Sequence, residues 1–210
     1  MPRRPLAPAL LATALSACSV VGVRAGTEEP KYQTLAHLGP VEIRRYAPRI
    51  AAETTLTGTE NDARNLGFRR IAAYIFGANH TGAKIAMTAP VGQAAKSQTI
   101  AMTAPVAQSQ TGPNAYTIRF FMPAAETLAT LPTPNDPEVH LVPIPAQTYA
   151  VLRFTGLPTA HAIARHTQKL LATLKSSQYH PTGTPTAWFY DPPWTLPFLR
   201  RNEVAVEVSQ

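Results

Sequence analysis

The sequence predicts an α+β fold: one domain in which a pseudo-duplicated, distorted antiparallel β-barrel or sheet is flanked by two α-helices. Three observations predict it. The order strand, helix, strand runs twice along the chain with little identity between the two passes. Proline makes up 21 of 210 residues and charged residues only 15%, against usual shares of about 5% and about 25%, which excludes a long-helix bundle, a coiled coil or a charged disordered tail. The length and the 45% hydrophobic content suit one full core and leave little for a second.

Residues 1–17 read as a leader, with a basic start at Arg3 and Arg4, an apolar run from Leu6 to Ala14 and small residues before Cys18. The run is broken by Pro8 and is too short for a membrane span, which needs about 20 apolar residues. Leu15-Ser16-Ala17-Cys18 resembles the lipobox of bacterial lipoproteins. That resemblance implies cleavage before Cys18, diacylation of its sulfur and acylation of the new N-terminus. The alternative is a plain secretory leader in which Cys18 is incidental; the chain's only cysteine standing at the one position the motif requires favours the lipoprotein. Two or more acyl chains anchor stably, so residues 18–30, with little apolar periodicity, read as a tether and residues 31–210 as the folded domain. Ser19, with no aspartate there, resembles outer-membrane lipoproteins, so the expected location is the cell envelope, with the outer membrane facing the periplasm preferred over the inner.

Within the folded part, Val41–Tyr46 and Ile50–Leu56 are strand-like, Asp62–Phe76 is helix-like and Ile85–Pro123 is strand-like again. The second pass runs Val139–Thr155, a helix over Ala160–Ser177, then Ala187–Tyr190 and Asn202–Val208. Tyr149, Val151 and Arg153 alternate with Ala150, Leu152 and Phe154, and Val204, Val206 and Val208 alternate with Glu203, Ala205 and Glu207, the period of half-buried strands. The three prolines between Leu128 and Pro137 mark the join of the halves. Ile85-Ala86-Met87-Thr88-Ala89-Pro90-Val91 recurs unchanged as Ile100 to Val106, 15 residues on. Each copy has the length of a short strand, and Pro90 and Pro105 confine it to an edge, a strand end or a bulge.

The two helices differ. The second has one apolar stripe, Ile163, Leu170, Leu171 and Leu174, as expected of a helix packed on one side. The first carries Gly67, Ile71, Tyr74 and Ile75 on one stripe and Phe68, Ala72 and Phe76 on the next. A sheet buries only one face, so the other requires loops, a partner chain or an apolar ligand. Gly77 and Asn79 fit a C-terminal cap.

Chemical motifs are few. There is no Gly-x-Ser-x-Gly, no Gly-x-Gly-x-x-Gly, no P-loop and no His-Glu-x-x-His, so the sequence reads as non-enzymatic. His161 and His166 lie about 140° apart on their helix at about 100° per residue and do not share a face as metal ligands would; both read as solvated. His37, His80, His140 and His180 are isolated. Met87 and Met102 are competent soft ligands for iron but serve more often as packing. The formal charge of +7 falls to +5 without Arg3 and Arg4, and the arginine pairs at 44/45, 69/70 and 200/201 form no basic stripe, so nucleic acid is not an expected partner.

Glu42-Ile43-Arg44-Arg45-Tyr46, then Gly67-Phe68-Arg69-Arg70-Ile71-Ala72-Ala73-Tyr74-Ile75-Phe76-Gly77, then the two Ile-Ala-Met-Thr-Ala-Pro-Val copies, resemble the SOUL haem-binding protein family. So do Phe121-Met122-Pro123, Leu131 to Asp136, Tyr149 to Phe154, and Pro192-Pro193-Trp194 to Val204. The resemblance spans Tyr32 to Val208 and implies a distorted antiparallel barrel flanked by two helices. It implies non-covalent binding of haem or another tetrapyrrole in a shallow apolar groove beside the first helix, near Ile71, Ala72, Tyr74 and Ile75, with Met87 as a neighbour. The axial ligand is not implied. Arg69, Arg70 or Lys84 would pair with the propionates on grounds of charge. The expected role is a carrier, buffer or sensor at the envelope. The family's duplicated layout is similar to the effector-binding domains of bacterial regulators, which keeps a second reading open: a binding module for another apolar ligand or a protein partner.

Overall fold

The described residues, 27–81 and 97–210 of a computed structural model, run β1 (Tyr32–Leu38), β2 (Val41–Tyr46), β3 (Arg49–Thr57), α1 (Glu60–Ile75), β4 (Asn79–His80), β5 (Val106–Gly112), β6 (Ala115–Phe121), β7 (Thr133–Pro134), β8 (His140–Ile144), β9 (Gln147–Phe154), α2 (Ala160–Leu174), β10 (His180–Pro181), β11 (Thr186–Phe189) and β12 (Asn202–Ser209). The leader, Cys18, Lys84, Met87 and the first copy of the short repeat lie outside them. Glu28 and Glu29 already touch the domain: the Ala104 and Ala124 amides donate to Glu28 and Arg201 pairs with Glu29.

Hydrogen bonding joins the main strands into one antiparallel sheet in the order β1-β2-β9-β12-β11-β5-β6-β3-β8, with β10 added on β12. The duplication is explicit in this order. Counting outward from the central β11–β5 contact, β5, β6 and β3 mirror β11, β12 and β9. The strand that immediately precedes β3 and β9 in each half pairs into the opposite half: β2 on β9 and β8 on β3. Both helices begin alike. Gly58 at φ +146° and Gly156 at φ +104° turn the chain out of β3 and β9. Thr59 and Thr159 then cap the helices, their hydroxyls accepting the amides of Asp62 at 3.2 Å and Ala162 at 3.1 Å.

The sheet curls into a half-barrel, and its two faces carry separate cores. On the convex face α1 packs over β3 and β6 with Ile71, Ile118 and Phe120, and α2 packs over β9 and β12 with Leu170, Leu174, Leu152 and Val204. The concave face holds Tyr46, Ala51, Phe121, Val151, Trp188, Tyr190 and Ala205. Gly67 sets how close α1 lies: a Cβ there would stand 2.5 Å from Ile118 Cγ1 and 3.0 Å from Leu56 Cδ1.

Three readings change. β1 is a strand that the sequence did not announce, because most of its side chains are exposed and leave no alternation. Ile100–Pro105 is not a strand: among the described residues only Thr103 makes a bridge there, to Glu28, and β5 begins at Val106, after Pro105, which donates no hydrogen bond. The face of β12 that carries Glu203 is not a half-wet face. The curl places it inside the half-barrel, where Glu203 is fully buried.

Candidate functional site

The last turns of α1 divide into an inner and an outer face. Ile71, Tyr74 and Ile75 point inward and are at most 1% exposed. They are enclosed by the sheet and by loop residues Ile100, Leu131 and Val139. The Tyr74 hydroxyl donates to Pro132 O at 2.9 Å. Loops therefore cover this part of the surplus apolar surface, and these three side chains back the helix rather than face solvent. Phe76 is 62% exposed, Phe68 39%, and Ala72 is buried at 8%; Arg69 is exposed with no ion pair among the described residues. At about 100° per residue, Phe68, Ala72, Phe76 and Arg69 span an arc of about 100°. Arg70 is engaged elsewhere, on Asp136 at 3.0 Å and Thr54 at 3.1 Å.

The end of the helix is pinned by the predicted cap. Gly77, at φ +114°, donates to Tyr74 O, and Ala78 donates to Ala73 O. Asn79 Nδ2 donates to Tyr74 O and Gln98 O, and its Oδ1 accepts the Gln98 amide. The following residue, His80, lies 2.8 Å through Nδ1 from Asn135 Oδ1. This contact holds one ring nitrogen of His80 and leaves Nε2 as the other. Sequence reasoning left His80 among the isolated histidines, because Asn135 is 55 residues away. His166 is not simply solvated either: it stacks on Phe154 at 4.3 Å, and burial, with Arg165 and Lys169 nearby, lowers its pKa. Among the described residues no cluster of three or more His, Cys, Asp or Glu side chains forms a metal site.

A cleft of about 370 Å³ opens between the start of α1 and α2, over the seam of β5 and β11, and is lined by Glu60, Gln108, Tyr116, Ile163, Thr167 and Ala187. On the other side of the sheet, the concave face carries a polar network around Glu203. It accepts from Arg44 Nη1 at 2.9 Å and Nη2 at 3.2 Å, from the Tyr190 hydroxyl at 2.6 Å and from Arg201 Nε at 3.1 Å. A buried carboxylate is thus fully compensated. No pair of nucleophile and base emerges from these contacts, which are structural in kind.

The described residues thus form a duplicated α+β half-barrel with an exposed aromatic face on α1 and a polar network on the concave face, a fold that does not by itself set a ligand. The SOUL heme-binding protein family model matches residues 27–207, and the chain belongs to that family. Comparison with curated proteins finds no match. Among solved structures, the chain is similar to the C-terminal domain of EcmrR, at 12% identity and TM-score 0.58 over 85% of this chain and 98% of that one. The EcmrR–DNA complex matches at TM-score 0.55 and 12% identity, over 85% and 58%. A protein described as a hydrolase from Listeria innocua matches at TM-score 0.50 and 11% identity, over 89% and 94%. At these identities the likeness is one of fold.

Proposed function

We propose that this protein is a non-enzymatic binder of haem or a related tetrapyrrole, a carrier, buffer or sensor held at the cell envelope through lipidated Cys18. The observation that carries the reading is the outer face of α1 in a SOUL-family chain, where Phe68 and Phe76 stand exposed beside the exposed Arg69. The residues suit the group: Phe68, Ala72 and Phe76 would give a flat apolar ring its cover, Arg69 would pair with a propionate, and His80 would be the nitrogen ligand available to iron. Lys84 and Met87 follow in the chain as a second cation and a soft neighbour. When bound, haem would supply an iron centre and a chromophore; the chain would supply apolar cover, charge at the rim and a histidine oriented by Asn135.

Titration of the full-length protein with hemin tests this. The expected result is a saturable Soret shift at micromolar concentration. Covering one aromatic side chain contributes about 1.5–3 kcal/mol, so Phe76→Ser weakens binding by at least about tenfold. His80→Ala changes the spectrum more than the affinity. Absence of any saturable Soret change with the folded wild-type protein overturns the proposal.

A further inference from the structure

Between β11 and β12 the chain forms an apolar projection. Trp194, Leu196, Phe198 and Leu199 all stand exposed there, and Phe198, at 68%, is the most exposed large apolar side chain among the described residues. Leu157, also exposed, joins them from the turn before α2. The Gly156 amide donates to Pro197 O at 3.0 Å, and Asn202 Nδ2 donates to Gly156 O at 3.0 Å. The backbone of the projection is largely satisfied from within. Pro192, Pro193 and Pro197 have no amide to leave unpaired, and the amides of Thr195, Leu199 and Arg200 turn back onto Pro192 O, Leu196 O and Pro197 O at 3.1, 2.9 and 3.2 Å. Arg200 Nε donates to Thr195 O at 2.8 Å and its Nη2 to Pro193 O. Lipid offers a peptide no hydrogen bonds, so a segment that enters it must close its own. A tip of Trp, Phe and Leu above a basic base is the composition that seats in a membrane interface. The neighbouring surface has the matching charge: α2, which starts three residues after Leu157, contains no acidic residue, and its Arg165 and Lys169 are exposed one turn apart.

The start of the domain lies at the foot of this projection. The Arg201 amide donates to Asp191 Oδ2 at 2.7 Å, which joins the two ends of the loop, and Arg201 Nη1 meets Glu29 at 2.9 Å. Cys18 precedes Glu28 by ten residues, and a chain of that length reaches at most about 35 Å. Lipid held on Cys18 therefore keeps a bilayer within reach of the projection, and tethering raises the effective concentration of the two surfaces, so a weak contact suffices to orient the domain. We infer that residues 191–200 and Leu157 form a second membrane contact, seated on an anionic phospholipid surface with Phe198 and Leu157 toward the acyl chains and Arg200 at the headgroups. The inference rests on the envelope part of the reading above and does not depend on tetrapyrrole binding.

The test uses the full chain without hemin, as wild type and as Cys18→Ser, which removes the sulfur to be acylated. Both are mixed with vesicles of equal parts phosphatidylethanolamine and phosphatidylglycerol, with or without bromine on the acyl chains. The chain has two tryptophans: Trp194, 63% exposed, reports the projection, and Trp188, 2% exposed, is shielded. Brominated lipid is expected to quench the emission of both proteins, and Trp194→Phe to abolish the quenching. In the Cys18→Ser chain, Leu157→Ser with Phe198→Ser is expected to weaken sedimentation with vesicles at least tenfold. Leu66→Ser leaves it unchanged: Leu66 is exposed on α1 about 160° around the helix from Arg64, which reaches Pro158 O. Residues upstream of the domain are common to these chains and cancel in the comparison. If the double variant fails to fold, quenching of Trp194 decides. The mass of the Cys18 peptide reports the anchor separately, so an unmodified Cys18 with quenched Trp194 fails the anchor and upholds the inference. Unquenched Trp194 on vesicles, unaltered sedimentation of the folded double variant, or self-association that shields Trp194 without vesicles each overturn it.

Discussion

Glu203 shows how a single residue can be tied to a distant part of the chain. Its carboxylate joins Arg44, 159 positions earlier, with Tyr190 and Arg201. Replacing such a pair with well-packed apolar residues is often neutral, but removing one partner leaves buried charge without compensation. Glu203→Gln keeps the shape and discards the charge, leaving Arg44, 2% exposed, without its main anion. The expected cost is about 3–5 kcal/mol in denaturant-induced unfolding; a loss below about 1 kcal/mol would show the network to be energetically slack. The sequence displayed Glu203 only as the polar member of an alternating strand. Nothing local distinguishes a glutamate facing water from one facing the inside of a curl, since the difference is made by β2 crossing from the other half.

Among the elements, α1 is held close to the sheet at Gly67. Alanine exceeds glycine in helix propensity by about 1 kcal/mol, so Gly67→Ala would stabilise an isolated helix. Here the added methyl meets Ile118 Cβ at 2.9 Å as well as Cγ1, and a β-branched side chain so near its own backbone has little room to give. The expected outcome is a net loss of about 1–3 kcal/mol from overpacking, with the melting temperature lowered and hemin affinity altered because the outer face moves. A higher melting temperature would mean that the helix shifts freely on the sheet. Both helices were legible in the sequence because their apolar stripes recur at helical spacing. The division of α1 into covered and open faces was not, since it depends on Leu131, Pro132 and Val139 folding back over Tyr74. The surroundings of Arg49 were illegible for a similar reason: Tyr46, Phe121 and Tyr149, whose rings lie around its guanidinium, come from β2, β6 and β9, and no spacing along the chain brings them together.

For the whole molecule, burial of tyrosines makes alkaline pH a direct probe of integrity. Burial raises Tyr46 and Tyr74 to about 12 and also raises Tyr149 and Tyr190. An unfolded tyrosine ionises near 10. Above that pH the unfolded chain releases protons that the folded chain retains, so this contribution is complete below about pH 10 and is lost as pH rises toward the folded values. Stability should therefore fall between about pH 10 and 12, with tyrosinate absorbance at 295 nm rising together with loss of circular dichroism. Ionisation of all seven tyrosines by about pH 10.5, with native circular dichroism retained, would contradict this.

The crossing of β2 and β8 bears on how such a chain can arise. Either half taken alone keeps its helix and three central strands but has a strand, β2 or β8, that pairs onto the other half, β2 carrying β1 on its outer edge. Two copies of one half would each lend that strand to the other and close as a symmetric pair. The present chain has the architecture of a strand-exchanged homodimer whose two subunits have been fused end to end, with residues 128–137 as the covalent joint.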